Sequence, residues 1–279
     1  MQLIQKIGVP SQACLALHDK RLCWNSLEEF LPSLAGETRS SFAVEECLGA
    51  IRLLGILEPV SGLHIPPQAI KIDGRNFRES IEVNQLVSRH RAVLLEINNG
   101  IKKDQNLANM NIFIPEAFTG FSTYLLQLAP HSVSRPYLPN PPGSPATDTC
   151  YEDICKLSFS DSSFDLLVYN DLIGYAPSPR ECLGEALRVL KPGGRLLATF
   201  PFAYGQQETI VKTIQQPRPS GDLADQPTAS ISYSIPGWSI LQLLQDTGFS
   251  QSRIHYTASW KHGVLGADLP GVFVLEACR

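Results

Sequence analysis

The hydrophobic pattern is sharpest between Phe164 and Phe202, FDLLVYNDLIGYAPSPRECLGEALRVLKPGGRLLATFPF. Phe164 to Tyr169 is a short apolar run, which predicts a strand buried on both faces of a parallel sheet. Asn170 to Ala176 leaves it as a loop. Ser178 caps a helix that has Pro179 at its first position and Glu181 three residues after the cap. Leu183, Ala186, Leu187 and Leu190 give this helix one apolar face. Lys191-Pro192-Gly193-Gly194 predicts its stop, and Arg195 to Pro201 a second strand. Strand, helix and strand together make a right-handed βαβ unit. Ligands of such sheets bind beyond the carboxyl ends of the strands, so chemistry is expected at Asn170 to Ala176 and Pro201 to Tyr204.

The pattern predicts further elements on either side. Ser26 to Leu34 reads as a short helix. Val44, Cys47, Leu48, Ile51 and Leu54 fall at helical spacing after Ser41, and Gly55 ends that helix. Ile56 to Ile65 reads as two short strands around a Ser-Gly turn. Ser80 to Ile97 predicts a helix, with His90 on or near its inner face as a structural histidine. Lys102 to Asn109 is a polar loop. Asn111 to Ile114 begins the sheet, and Phe121 to Leu128 follows as a helix. Prolines at 136, 139, 141, 142 and 145 make the next stretch irregular, with a short strand at His131 to Ser134. A third strand is expected over Asp148 to Asp153. Tyr204 to Ser234 reads as a long loop, Pro236 to Asp246 as a helix, and Ser252 to Thr257 and Val272 to Ala277 as final strands. The division falls at Gly74, giving a unit at 1–74 and a larger one at 75–279.

Helix, helix, hairpin is the order of a winged helix, and charge narrows what that unit does. Residues 1–75 hold seven Lys/Arg and eight Asp/Glu, whereas a DNA reader needs a basic face for the phosphates. Nucleic acid is therefore not an expected partner. A dimerisation or docking module, which would make the chain a homodimer through this unit, and a small helical cap both stay open. With 43% apolar residues and a net charge of −4, the composition is that of a folded protein with no anionic-membrane preference. The N-terminal residues make a poor signal peptide, and seven scattered cysteines argue for reduced thiols and a cytoplasmic home. Cys150 and Cys155 form the one close pair, with no histidine near them in sequence, so no metal site is expected.

ICKLSF at Ile154 to Phe159, SSFDLLVYNDLIGYAPSP, RVLKPGGRLLATFPF and GWSILQLLQDTGF resemble the class I S-adenosylmethionine-dependent methyltransferases from about Ser80 to Arg279. IFIPEAFTGF and SRPYLPNPPG look like a bacterial subgroup in which the first glycine motif is reduced. The resemblance implies an α/β, Rossmann-like sheet, mostly parallel with the last strand antiparallel and helices on both faces, beside the small N-terminal helical or winged-helix-like domain. It implies S-adenosyl-L-methionine as cofactor and methyl transfer to a hydroxyl or amine of a small molecule, a sugar or specialised metabolite. The cofactor residues it implies are Glu116, Ala117 and Gly120 after the first strand, Asp153 and Ile154 at the adenine position, and Asn170, Asp171 and Leu172 after the fourth strand. Arg135-Pro136 stands where the subgroup has the acidic ribose ligand. On the acceptor side His262, Tyr204 and Tyr175 are the candidate catalytic residues, each weighed against an ordinary packed or solvated role. His255, inside a predicted strand, reads as structural. A catalytically silent binding or assembly subunit is the alternative, motivated by the missing glycines. A nicotinamide oxidoreductase fits less well, since the chain has no GxGxxG.

Overall fold

The computed structural model describes residues 10–101, 105–137, 151–215 and 230–279. In chain order the N-terminal part comprises α1 (Gln12–Ala16), β1 (Lys20–Trp24), α2 (Leu27–Ser40), α3 (Val44–Leu54), β2 (Ile56–Leu57), β3 (His64–Ile65) and β4 (Lys71–Ile72). Then come α4 (Phe77–Ser80), β5 (Ile81–Glu82), α5 (Ser88–Asn99), β6 (Ile112–Ile114), α6 (Gly120–Leu128), β7 (Val133–Ser134) and β8 (Phe164–Asn170). The rest is α7 (Pro179–Val189), β9 (Leu190–Thr199), β10 (Ile210–Gln215), β11 (Ser230–Ile235), α8 (Ser239–Thr247), β12 (Gln251–Ala258) and β13 (Val272–Cys278).

The main sheet has seven strands in the order β1-β12-β13-β9-β8-β6-β7. The β7-β6-β8-β9 pairs are parallel, and β13 pairs antiparallel to both β9 and β12. The sheet is thus mostly parallel with its last strand reversed, as the family resemblance implies. Strand β8 shows why it is apolar throughout. Leu166 and Val168 face a core with Val93, Phe121 and Leu125, while Leu167 and Tyr169 face one with Cys182, Leu183 and Leu244. Helices α5 and α6 cover the first face; α7 and α8 cover the second.

The N-terminal part does contain helix, helix and hairpin in that order. Leu17, Phe30, Leu48 and Ile51 from it lie in the same core cluster as Trp238 and Trp260. Strand β1 also extends the main sheet at its edge, pairing antiparallel with β12. Among the described residues no helix is long and apolar enough to cross a membrane.

Four expectations need correcting. The helix expected over Ser80 to Ile97 begins at Ser88, because Ile81–Glu82 pairs with Lys71–Ile72 and Asn84 and Gln85 turn the chain with φ of 49° and 64°. Lys191 to Gly194 does not form a separate turn. Helix α7 ends at Val189, and the Gly-Gly pair lies in the early, bulged part of β9, with Gly193 at φ 76°. The long loop after Tyr204 contains the hairpin β10–β11, and the helix expected from Pro236 starts at Ser239. Of the third strand expected over Asp148 to Asp153, residues 148–150 lie outside the described residues; Glu152 makes an isolated parallel bridge to Tyr137. Prolines 139, 141, 142 and 145, Lys102, the arm before Pro10 and residues 216–229 also lie outside them.

Candidate active site at the carboxyl ends of the strands

Strands β6, β8 and β9 end side by side, so the residues that follow them meet. Glu116 follows β6, and its Oε1 accepts a hydrogen bond from Asn170 Nδ2 at 2.9 Å, at the end of β8. Burial pushes the Glu116 carboxyl up, and this outweighs the hydrogen bond from Asn170 and the nearby Arg89 cation. Asn170 is 9% exposed, and its Oδ1 has no partner among the described residues. Asp153 Oδ1 accepts from Cys155 N at 2.9 Å, in an Asx-type turn. Ile154 is fully buried beside it and Leu172 packs against the same core.

Asp171 behaves differently from its sequence expectation. Arg78 binds it with both Nη atoms, one at 2.9 Å, Arg89 Nε lies 3.5 Å away, and Thr199 Oγ1 donates to it at 3.1 Å. Burial raises this carboxyl, but Arg78 and Arg89 outweigh that and hold it below the usual range. Glu79 closes the ring of charges, accepting from Arg89 Nε at 3.0 Å and pairing with Arg78. Two arginines and two carboxylates thereby fasten the stretch from α4 to α5 over the end of β8. Asp171 is a positioning residue here, with its oxygens already engaged. Its φ of 54° bends the chain out of the strand.

Gly120 opens α6, with Thr119 as its cap. A Cβ at Gly120 would lie 2.4 Å from Gln85 Cβ, so the glycine accommodates the Asn84–Gln85 turn. Ala117 lies between Glu116 and Phe118, and Phe118 is 92% exposed at φ 60°. Arg135 bonds to the buried Glu152 and lies over the Phe159 ring at 4.9 Å.

Beyond β9 is a cavity of about 320 Å³ walled by Phe200, Phe202, Tyr204 and Phe273, with Arg78 and Asp268 also on it. Tyr204 stacks on Phe273 at 5.7 Å, and its carbonyl accepts from Trp238 Nε1 at 2.7 Å. Burial, then the Asp268 charge, pushes the Tyr204 phenol up, so at neutral pH it is an uncharged phenol and not a base. Tyr175 lies outside this cavity, half-exposed and stacked on Tyr233 at 5.8 Å. His262 does not join the group either. It is 6% exposed, its Nδ1–H donates to Leu57 O at 3.0 Å, and burial pushes its pKa down.

Sequence reasoning did not single out Arg78 or Arg89, and it read His90 as structural. The His90 ring is 6% exposed, stacks on Phe121 at 4.9 Å and accepts from Val87 N at Nδ1. Burial and then the Arg89 and Arg91 cations push it down to about 2, so it is neutral with its proton on Nε2. That Nε2 and Arg89 Nη1, like Asn170 Oδ1, are buried without a partner among the described residues. Buried polar atoms are nearly always bonded, so this set fits a ligand that carries donors and acceptors of its own. No helical or strand period marks these residues; contacts between distant segments do.

The sequence model of a methyltransferase-domain family matches residues 120–198. An arsenite methyltransferase from Aquipseudomonas alcaligenes is 47% identical over 52 residues, which is 19% of this chain and 15% of that protein. The chain therefore spans a small part of that relative's length. Among solved structures, an S-adenosylmethionine-dependent methyltransferase from Mesorhizobium loti aligns with a TM-score of 0.40 at 15% identity, over 63% of this chain and 93% of its own. The 1,6-didemethyltoxoflavin-N1-methyltransferase of Burkholderia thailandensis, solved with its substrate and S-adenosylhomocysteine, aligns with a TM-score of 0.42 at 15% identity, over 67% and 76%.

Proposed function

Starting from a chain built on the class I S-adenosylmethionine-dependent methyltransferase domain, we propose that it methylates a hydroxyl or amine of a small molecule seated against Tyr204. The observation that carries this reading is the adjacency of two unlike sites at one end of the sheet. Glu116 and Asn170 form a polar border on which Asn170 Oδ1 has no partner among the described residues, and an aromatic cavity of about 320 Å³ lies across Arg78 from it. The first suits a nucleoside with an amino-acid tail. Glu116, Asp153 and Asn170 would hold that cofactor, with Ala117 and Gly120 in its loop and Ile154 and Leu172 against its base.

When bound, the cofactor supplies a methyl on a positively charged sulfur, and transfer breaks the sulfur–carbon bond as the bond to the acceptor forms. The chain's own task is placement, since holding reactants in line supplies much of the rate. The charge ring around Asp171 fixes the wall between the two sites. Tyr204 Oη accepts a hydrogen bond from the acceptor's O–H or N–H and so orients its lone pair toward the methyl, and the acceptor's proton leaves to water. Neither Tyr175 nor His262 has a part in this scheme.

A titration with S-adenosylhomocysteine tests the reading. Heat of binding in the micromolar to millimolar range is expected, and a flat trace at millimolar ligand would sink it. A silent binding or assembly subunit draws on Asp171, whose oxygens are engaged by Arg78 and Arg89. Methylated product from any acceptor ends that alternative. A small-molecule partner, no nucleic acid, a reducing cytoplasmic setting for the free thiols, and a homodimer through residues 1–74 complete the proposal.

A further inference from the structure

We infer that the aromatic cavity beyond β9 selects a flat cation that also carries a hydroxyl or uncharged amine to receive the methyl, such as an N-alkylated nitrogen heterocycle bearing that group, over a neutral ring of the same shape. The inference rests on the reading of this cavity as the acceptor site and names the acceptor's class.

Two observations converge on it. The first is the wall. Tyr204 and Phe273 stack at 5.7 Å with 21° between their planes, and Phe202 meets Phe273 at 5.2 Å and 67°. Together they present a ring face and ring edges, the surface a flat ligand fills best. A cation is further attracted by the negative faces of such rings.

The second is the charge balance. Among the described residues, Arg78 and Asp268 are the charged side chains on the cavity. Arg78 is already paired with both Glu79 and Asp171, so its charge is matched before any ligand arrives. Asp268 is exposed and has no ion-pair partner among the described residues, yet its charge is felt at the Tyr204 hydroxyl. The uncompensated charge at the mouth is therefore negative. An anionic acceptor would meet Asp268 with no free cation to offset it. A neutral sugar would donate hydrogen bonds to it but feel no attraction between charges. A cation gains from both the carboxylate and the rings.

The test compares 1-methylquinolinium with 1-methylnaphthalene, which has the same shape and no charge. Binding is followed by quenching of tryptophan fluorescence, since Trp238 lies 5.2 Å from Phe202. The cation is expected to bind roughly tenfold more tightly at low salt. Asp268→Asn should remove most of that preference while leaving the affinity for the neutral ring unchanged. Asp246→Asn, an exposed carboxylate beside α7, should leave both affinities alone. Equal binding of the two probes, or a preference undiminished by Asp268→Asn, would overturn the inference. A parallel titration with S-adenosylhomocysteine keeps the two ideas apart. If it binds and the cation preference is absent, the acceptor class fails while the methyltransferase reading stands. If it does not bind, that reading fails, and the cation preference is still decided by the probe pair.

Discussion

Glu116 shows the conflict between stability and binding at the scale of one residue. Its carboxyl is pushed up by burial, so ionising it costs stability as pH rises from the unfolded carboxylate pKa through the higher folded value. Glu116→Gln keeps an acceptor for Asn170 Nδ2 and removes the charge. The variant is expected to have a higher urea midpoint at pH 7 and weaker affinity for S-adenosylhomocysteine; a lower midpoint would contradict the account. Arg91 is the opposite case. It is 1% exposed and donates to the carbonyls of Ile81, Leu86, His262 and Gly263. Arg91→Met fills the space but removes a donor from all four; Leu86 O keeps Val83 N and Gly263 O keeps Ser88 Oγ, and each carbonyl left buried without a donor costs about 1–3 kcal/mol. The expected loss is more than about 3 kcal/mol in urea unfolding, whereas a loss under about 1 kcal/mol would show the cation is dispensable. Neither residue stood out in the sequence by spacing.

At the scale of elements, legibility followed the period of the pattern. The unit β8-α7-β9 was readable because a continuous apolar strand, a capped helix and a second apolar strand are local signals. The stretch from Lys71 to Ser88 was not. Its two-residue strands and its Asn84–Gln85 turn are held by Arg78, Arg89 and Arg91, whose partners Asp171, His262 and Gly263 are far along the chain. The hairpin β10–β11 was missed for a related reason: it is pinned to the loop after β8 at Gly174. A Cβ there would lie 2.4 Å from Ser234 O, with backbone on both sides. Gly174→Ala is expected to push the hairpin away and raise amide exchange in β11, while exchange in β8 stays slow. The antiparallel edge has its own signature. Burial pushes Glu276 up, but His255 and Arg195 outweigh it and bring it to about 2. A depressed carboxylate gives stability that is present above the unfolded pKa of about 4.3. That stability is lost as pH falls from there toward the folded value. The urea midpoint should drop across this window, and Glu276→Gln should flatten the drop while lowering the midpoint at pH 7.

For the molecule as a whole, the fold was legible, and the contacts that build the aromatic cavity beyond β9 were not. Glu116 follows β6 and Asn170 ends β8, two strands that the hydrophobic pattern locates, whereas Asp153 follows only an isolated bridge at Glu152. Phe200, Phe202 and Phe273 come together only once β13 is laid beside β9. Asp171, a cofactor candidate in sequence, is held by α4 and α5 of the same core. The central claim is that the polar border at the ends of β6 and β8 is a nucleoside site. Calorimetric titration of S-adenosylhomocysteine into the wild type and into Asp153→Ala tests it most directly. The account predicts saturable binding by the wild type, weakened at least about tenfold by Asp153→Ala through loss of a charged hydrogen bond. Equal affinities for the two proteins, or no heat from the wild type at millimolar ligand, would contradict it.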